Sequence, residues 1–227
     1  MGQNSYGQIG TGSSSVSSVP EKLLDANVTA IAAGHAHSMC AMADGSLWVM
    51  GLNKYGAVGD NESIFRSSPL KVVDGNVTEV SNGSDHSVFI KTDGSLWGAG
   101  YNGYGQLGLS PLTDRSTPEE LVDANVTKIS AGYYHTLFLK TDGTLWGMGR
   151  NEDGELGIGN NSNQYAPVQV SISGVADVAS GPDSKHTLLL KNDGSLLVMG
   201  ANNHGQLGDN NEPSSRSSPY QILDSNV

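Results

Sequence analysis

A chain of 227 residues with a formal net charge of -11 and only 15% charged residues lacks the concentrated lysine and arginine that nucleic acid or an anionic membrane requires. No apolar run reaches the roughly 18 residues of a membrane helix, and a single cysteine, Cys40, excludes an internal disulfide. Dense apolar runs between stretches rich in Gly, Ser and Asn exclude disorder and predict a folded, weakly charged surface.

The first element is a glycine frame, GQNSYGQIG at 2–10, of the form G-x-N-x-x-G-x-[ILV]-G. It returns at 51–59, 100–108, 149–157 and 200–208, with first glycines 49, 49, 49 and 51 residues apart. Self-similarity at such a period marks a propeller, solenoid or array. Met1 aligns with Met50, Met148 and Met199, so it reads as an internal repeat position, and no secretory signal precedes the first repeat. LDSNV at 223–227 aligns with LDANV at 24–28, just where another inner strand begins. The expected division is a tail of one unit at 1–27 and whole units at 28–76, 77–125, 126–174 and 175–227. The chain is thus read as a piece of a longer array.

Each unit opens on a strand such as VTKISAG at 126–132, small and ending in glycine as an innermost strand should. A continuous apolar run follows, at 88–90, 137–139 and 188–190, as in a strand covered on both faces. Asp44-Gly45, Asp93-Gly94, Asp142-Gly143 and Asp193-Gly194 then predict type I′ hairpins, whose central residues need positive φ. Trp48, Trp97 and Trp146 lie in register on the third strand, with Leu197 in the fourth unit, and are assigned to stacking between neighbouring sheets. After the glycine frame and a variable loop, RSSPLKVV at 66–73 carries the proline of an outer strand, matched at 115–122 and 216–223. Four short antiparallel strands per unit, with no sustained helical period, predict an all-β propeller of four-stranded blades.

The order A-A-G-x-x-H-[ST], a strand, D-G-[ST]-L-W and G-x-N-x-x-G-Q-L-G resembles the repeat of the regulator of chromosome condensation family over the whole chain. The resemblance implies blades of a seven-bladed propeller, present here as four units and a partial one, and thus an open arc. It also implies a face that grips another protein, since the family includes exchange factors for small GTPases, ubiquitin-ligase modules and bacterial β-lactamase inhibitors.

His37, His86, His135 and His186 recur once per unit, distributed around the axis rather than converging, so they are read as structural, each bonding the backbone of its own blade. No metal, cofactor or catalytic group is assigned. Asp85-His86-Ser87 has the letters of a triad, but neighbours on a strand point to alternate faces. The acidic loops at 60–62 and 209–212 lack the ligand spacing of a calcium loop and read as turns. Arg66, Arg115 and Arg216 read as ties, and Lys91, Lys140 and Lys191 as solvated edge charges. The sequons at Asn27, Asn76 and Asn125 recur with the repeat and belong to its pattern rather than to glycosylation.

In an array the binding positions are those that differ between units. They cluster at 35–36, 84–85, 133–134 and 182–185, and in the centres of the glycine frames at 54–55, 103–104, 152–153 and 203–204. Tyr55, Tyr104, Tyr133 and Tyr134, with His35 and His204, are therefore the expected partner contacts, set against a simple loop-packing role for the tyrosines in register. The expected function is a non-enzymatic scaffold for a protein partner. A carbohydrate-binding or adhesive module is the alternative, with a sialidase-like glycosidase or GTPase exchange factor behind it. The composition reads as bacterial and exported, part of a larger cell-surface protein, and the open blade edges invite self-association.

Overall fold

The computed structural model describes residues 1–24 and 26–224, so the last three residues of the terminal LDSNV lie outside the described residues. Among the described residues, sixteen strands form four separate antiparallel sheets. The first holds β1 (Val28–Ala33), β2 (His37–Met42), β3 (Leu47–Gly51) and β4 (Arg66–Val73). The second holds β5 (Val77–Asn82), β6 (His86–Lys91), β7 (Leu96–Gly100) and β8 (Arg115–Val122). The third holds β9 (Val126–Ala131), β10 (His135–Lys140), β11 (Leu145–Gly149) and β12 (Gln164–Gln169). The fourth holds β13 (Val175–Ala179), β14 (His186–Lys191), β15 (Leu196–Gly200) and β16 (Arg216–Leu223). Each sheet is a meander in chain order, so each is one blade. Upstream of β1, an isolated bridge joins Gly2 to Ser17.

The local chemistry of each blade repeats. Asn27, Asn76 and Asn125 sit at φ of 70°, 70° and 69°, and Gly174 takes the same place in the fourth unit at 71°. The periodic sequons are therefore backbone devices, since Asn and Gly tolerate the left-handed region best. At the hairpin, the Asp93 carboxylate accepts from Ser95 N and, at 2.6 Å, from Ser95 Oγ, which in turn accepts from Trp97 Nε1 at 2.8 Å. This chain of bonds fixes why D-G-S-L-W recurs as a unit.

Three apolar clusters lie between the sheets. Met39, Leu47 and Val49 of the first meet Val80 and Phe89 of the second. Val88, Ile90 and Leu96 meet Ile129, Phe138 and Met148, and Leu137 and Leu139 meet Val178, Leu189 and Met199. Burial of these faces, at about 25 cal/mol per Å², is what holds blade to blade. Trp97 and Trp146 pack against the edges of two of these clusters. The lysines differ from expectation: Lys91 Nζ lies 3.5 Å from the Trp97 ring centre and Lys140 Nζ 4.7 Å from that of Trp146. They are cation–π lids on the tryptophans rather than free edge charges.

The glycine frames staple the blades from outside. Asn53, fully buried, accepts from Val58 N through Oδ1 and donates through Nδ2 to Asp60 and to Glu62 O. The loop it shapes lies on the outer strand of the next blade, where Asn61 N donates to Ser116 O at 2.8 Å. Gly56, at φ +84°, lies so close that a Cβ would sit 2.6 Å from Ser116 Cα.

The histidines also differ from expectation. The rings of His37, His86 and His135 bond side chains of the following blade instead of their own backbone: His37 Nε2 to Ser87 Oγ at 3.1 Å, His86 Nε2 to Thr136 Oγ1 at 3.0 Å, His135 Nε2 to Ser180 Oγ at 3.3 Å. Ser87 and Thr136 donate their own protons to Ala57 O and Gln106 O, so each hydroxyl accepts from an Nε2–H tautomer. The own-blade backbone is already used, with Gly83 N donating to His86 O.

Candidate protein-binding rim

In a four-stranded meander, the first and third connections emerge at one end and the central hairpin at the other. The segments at 34–36, 83–85, 132–134 and 180–185 therefore share one rim with the glycine frames, and the Asp-Gly turns lie opposite. Backbone bonds join these loops from blade to blade, Ser84 N to Tyr133 O at 3.3 Å and Tyr133 N to Ser184 O at 3.0 Å. His35 Nδ1 lies 3.0 Å from Asp183 Oδ1, linking the first blade to the fourth across 148 residues.

Five tyrosines gather on this rim. Tyr101 packs against Tyr55 and Tyr134 at centroid distances of 4.9 and 5.1 Å and meets Tyr104 edge-on. Tyr104 stacks on Tyr134 at 5.3 Å, and Tyr133 leans on Tyr134 at 4.1 Å. Such pairs each contribute about 0.5–1.5 kcal/mol beyond area burial, so the rings hold one another together without a ligand. Beside it opens a cleft of about 780 Å³ lined by Tyr6, His35, Lys54, Tyr55, Ile64, Phe65, Asp85, Tyr133, Tyr134 and Asp183, among others. Thus Tyr55, Tyr104, Tyr133, Tyr134 and His35 are brought together, while His204, exposed on the fourth blade, does not line the cleft.

Tyr134 donates its hydroxyl to Asp85 Oδ2 at 3.1 Å. Burial first, then hydrogen bonding with Tyr133 and the charge of Asp85, push the Tyr134 hydroxyl well above its ordinary pKa, so it stays a donor. Lys54 Nζ lies 4.7 Å from the Tyr55 ring centre and Lys185 Nζ 5.2 Å from that of Tyr133.

Tyr101, Ile64 and Phe65 escaped the sequence reading. Tyr101 stands where other units carry Leu52, Arg150 and Ala201, so unit-to-unit variation was the signal. Ile64 and Phe65, 60% and 44% exposed, sit in a loop whose length varies.

The triad letters diverge: Asp85 goes to Tyr134, His86 to Thr136, and Ser87 between His37 and Ala57 O. The acidic loops are internally engaged. Asp60 accepts from Asn53 and pairs with Arg66, and Asp209 accepts from Asn202 and from Arg216 Nε at 2.7 Å. Among the described residues, no three His, Cys, Asp or Glu side chains gather as a metal site.

A model of the RCC1-like domain family matches residues 1–226. Human WBSCR16 is similar in structure at a TM-score of 0.80 and 29% identity, over 98% of this chain and 60% of that one. Prp20p from Saccharomyces cerevisiae, a protein described with its binding to Gsp1p and histones, superposes at 0.78 and 20% identity, over 87% of this chain and 51% of that one. Yeast RCC1 (Prp20) bound to Kap60 gives 0.74 at 21% identity, over 87% and 49%. The chain thus spans about half the length of these structures. No curated protein matches it.

Proposed function

Since the chain belongs to the RCC1-like domain family, we propose that it is a non-enzymatic platform that binds a protein partner through the tyrosine rim. The observation that carries this reading is the preassembled cluster of Tyr55, Tyr101, Tyr104, Tyr133 and Tyr134 beside an open cleft. Tyrosine supplies large contact area and a hydrogen bond with few rotors to freeze, the property that makes it an interface anchor. Structural relatives described in complex with, or by their binding to, other proteins support the same reading. The divergence of Asp85, His86 and Ser87 onto separate partners favours binding over catalysis.

The test places a photo-crosslinking amino acid at Tyr104 or Tyr133 and, as control, at Asp142 in the opposite hairpin. Cross-links to one common protein from both rim positions and none from Asp142 are expected. Folded protein that cross-links nothing from the rim overturns the reading.

A further inference from the structure

Resting on that reading of the rim, we propose that the cleft takes an arginine side chain from a surface loop of the partner. The guanidinium meets Asp85, and its apolar neighbours lie on Ile64 and Phe65. Three features of the lining point to this guest.

The first is the state of Asp85. The bonds it accepts within the fold, from Tyr134 Oη and Ser84 Oγ, both end on Oδ2, so among the described residues Oδ1 accepts no hydrogen bond, and Asp85 lines the cleft. Asp183, the other carboxylate of the lining, is engaged through both oxygens by His35 Nδ1, at 3.0 and 3.2 Å. One carboxylate is therefore tied within the rim, and the other keeps an acceptor.

The second is the aromatic floor. The fold's own lysines already lie over these rings, Lys54 on Tyr55 and Lys185 on Tyr133, so the ring faces attract cations, and the guanidinium displaces an ammonium from one of them. A guanidinium is planar, stacks on such faces and presents a fork of donors to a carboxylate, which an ammonium does not. The third is the apolar part of the lining, where Ile64 and Phe65 stand exposed. Apolar flanks next to an acidic, aromatic pocket suit an arginine whose methylene stem is buried and whose head is paired. The chain's net charge of -11 steers a basic loop toward it.

The probe is acetyl-leucyl-arginine amide, titrated into isotope-labelled protein and followed by amide chemical shifts, beside its citrulline and lysine counterparts. Saturable shifts confined to Tyr55, Asp85, Tyr133, Tyr134 and their neighbours are expected with arginine. Citrulline, which keeps the shape and loses the charge, should bind at least about tenfold more weakly, with lysine between. Asp85→Asn retains an acceptor for Tyr134 and should lower arginine affinity about tenfold. Equal binding of citrulline, unchanged affinity in Asp85→Asn, or no saturable shift with arginine each overturns the proposal. If the rim cross-links its partner while arginine binds no better than citrulline, this inference falls and the platform reading stands. Arginine binding without any rim cross-link reverses that outcome.

Discussion

His135 and His186 occupy the same repeat position and pair across the same register, with Gly149 and with Gly200. His135 is fully buried, its ring set against Ser180 and Thr187 of the next blade, and burial lowers its pKa to about 3. His186 is half-buried, and burial lowers its pKa without so large a shift. Its neighbours repeat the contrast: Leu137 and Leu139 are 0% and 3% exposed, whereas Leu188 and Leu190 are only partly covered. At the other end, Ile31 is 78% exposed where Val80, Ile129 and Val178 are at 8%, 6% and 6%. Ser38 nevertheless keeps its repeat bond, donating to Gln8 O as Ser87 does to Ala57 O. The difference teaches that a blade makes its own strands and hairpin but not its own core. Each apolar face is buried by the neighbour.

Acid should break that comparison most strongly. His37, His86 and His135 have folded pKa values of about 4, 3 and 3, below the ordinary 6.5. Above pH 6.5 each is neutral in both states, so no stability is lost. As pH falls through 6.5 the unfolded chain takes up protons that the folded blades refuse, costing about 1.4 kcal/mol per pH unit for each histidine until its folded pKa is reached. Denaturant midpoints should therefore fall steeply between pH 6.5 and 4. Imidazole resonances should show His186 protonating before the other three framework histidines.

Truncation sharpens the same point. His86→Ala removes a fully buried ring and its bond to Thr136, and should cost about 2–4 kcal/mol in urea unfolding, against under about 1 kcal/mol for His186→Ala. Next in size is the staple. Gly56→Ala forces a Cβ onto Ser116 at positive φ and should cost about 2–3 kcal/mol, whereas Gly143→Ala, at φ +78° in open space, should cost about 1 kcal/mol. The smallest effect belongs to the rim: Tyr134→Phe removes the partly buried bond to Asp85 and should change stability by about 0.5–1 kcal/mol. A rim variant as costly as His86→Ala would mean that the tyrosines are framework.

That contrast also explains what was legible. Strands and turns were readable because their signals are local, but the Asp-Gly turns are not the expected type I′. Gly45, Gly94, Gly143 and Gly194 take positive φ while the aspartates before them do not, and each glycine N donates to the carbonyl three residues back, as Gly45 N does to Met42 O. Asn before the first three inner strands, and Gly174 before the fourth, take positive φ as well. The variable tyrosines were readable as departures from the repeat. Tyr101 was not singled out because its contacts come from Tyr55 and Tyr134, 46 and 33 residues away. The histidines were placed in the framework but given the wrong partner, because the bond to the next blade spans a whole repeat: 50 residues from His37 to Ser87.

The sequence by itself determined the repeat, the four strands of each unit and the positions free to vary, since period, alternation and turn chemistry act within a few residues. Only the tertiary structure decided which hydroxyl each histidine meets, that Lys91 and Lys140 cover tryptophans, and that five tyrosines, Asp85, Ile64 and Phe65 share one rim. Those contacts cross from blade to blade, and residues a full repeat apart carry no local signal of their meeting.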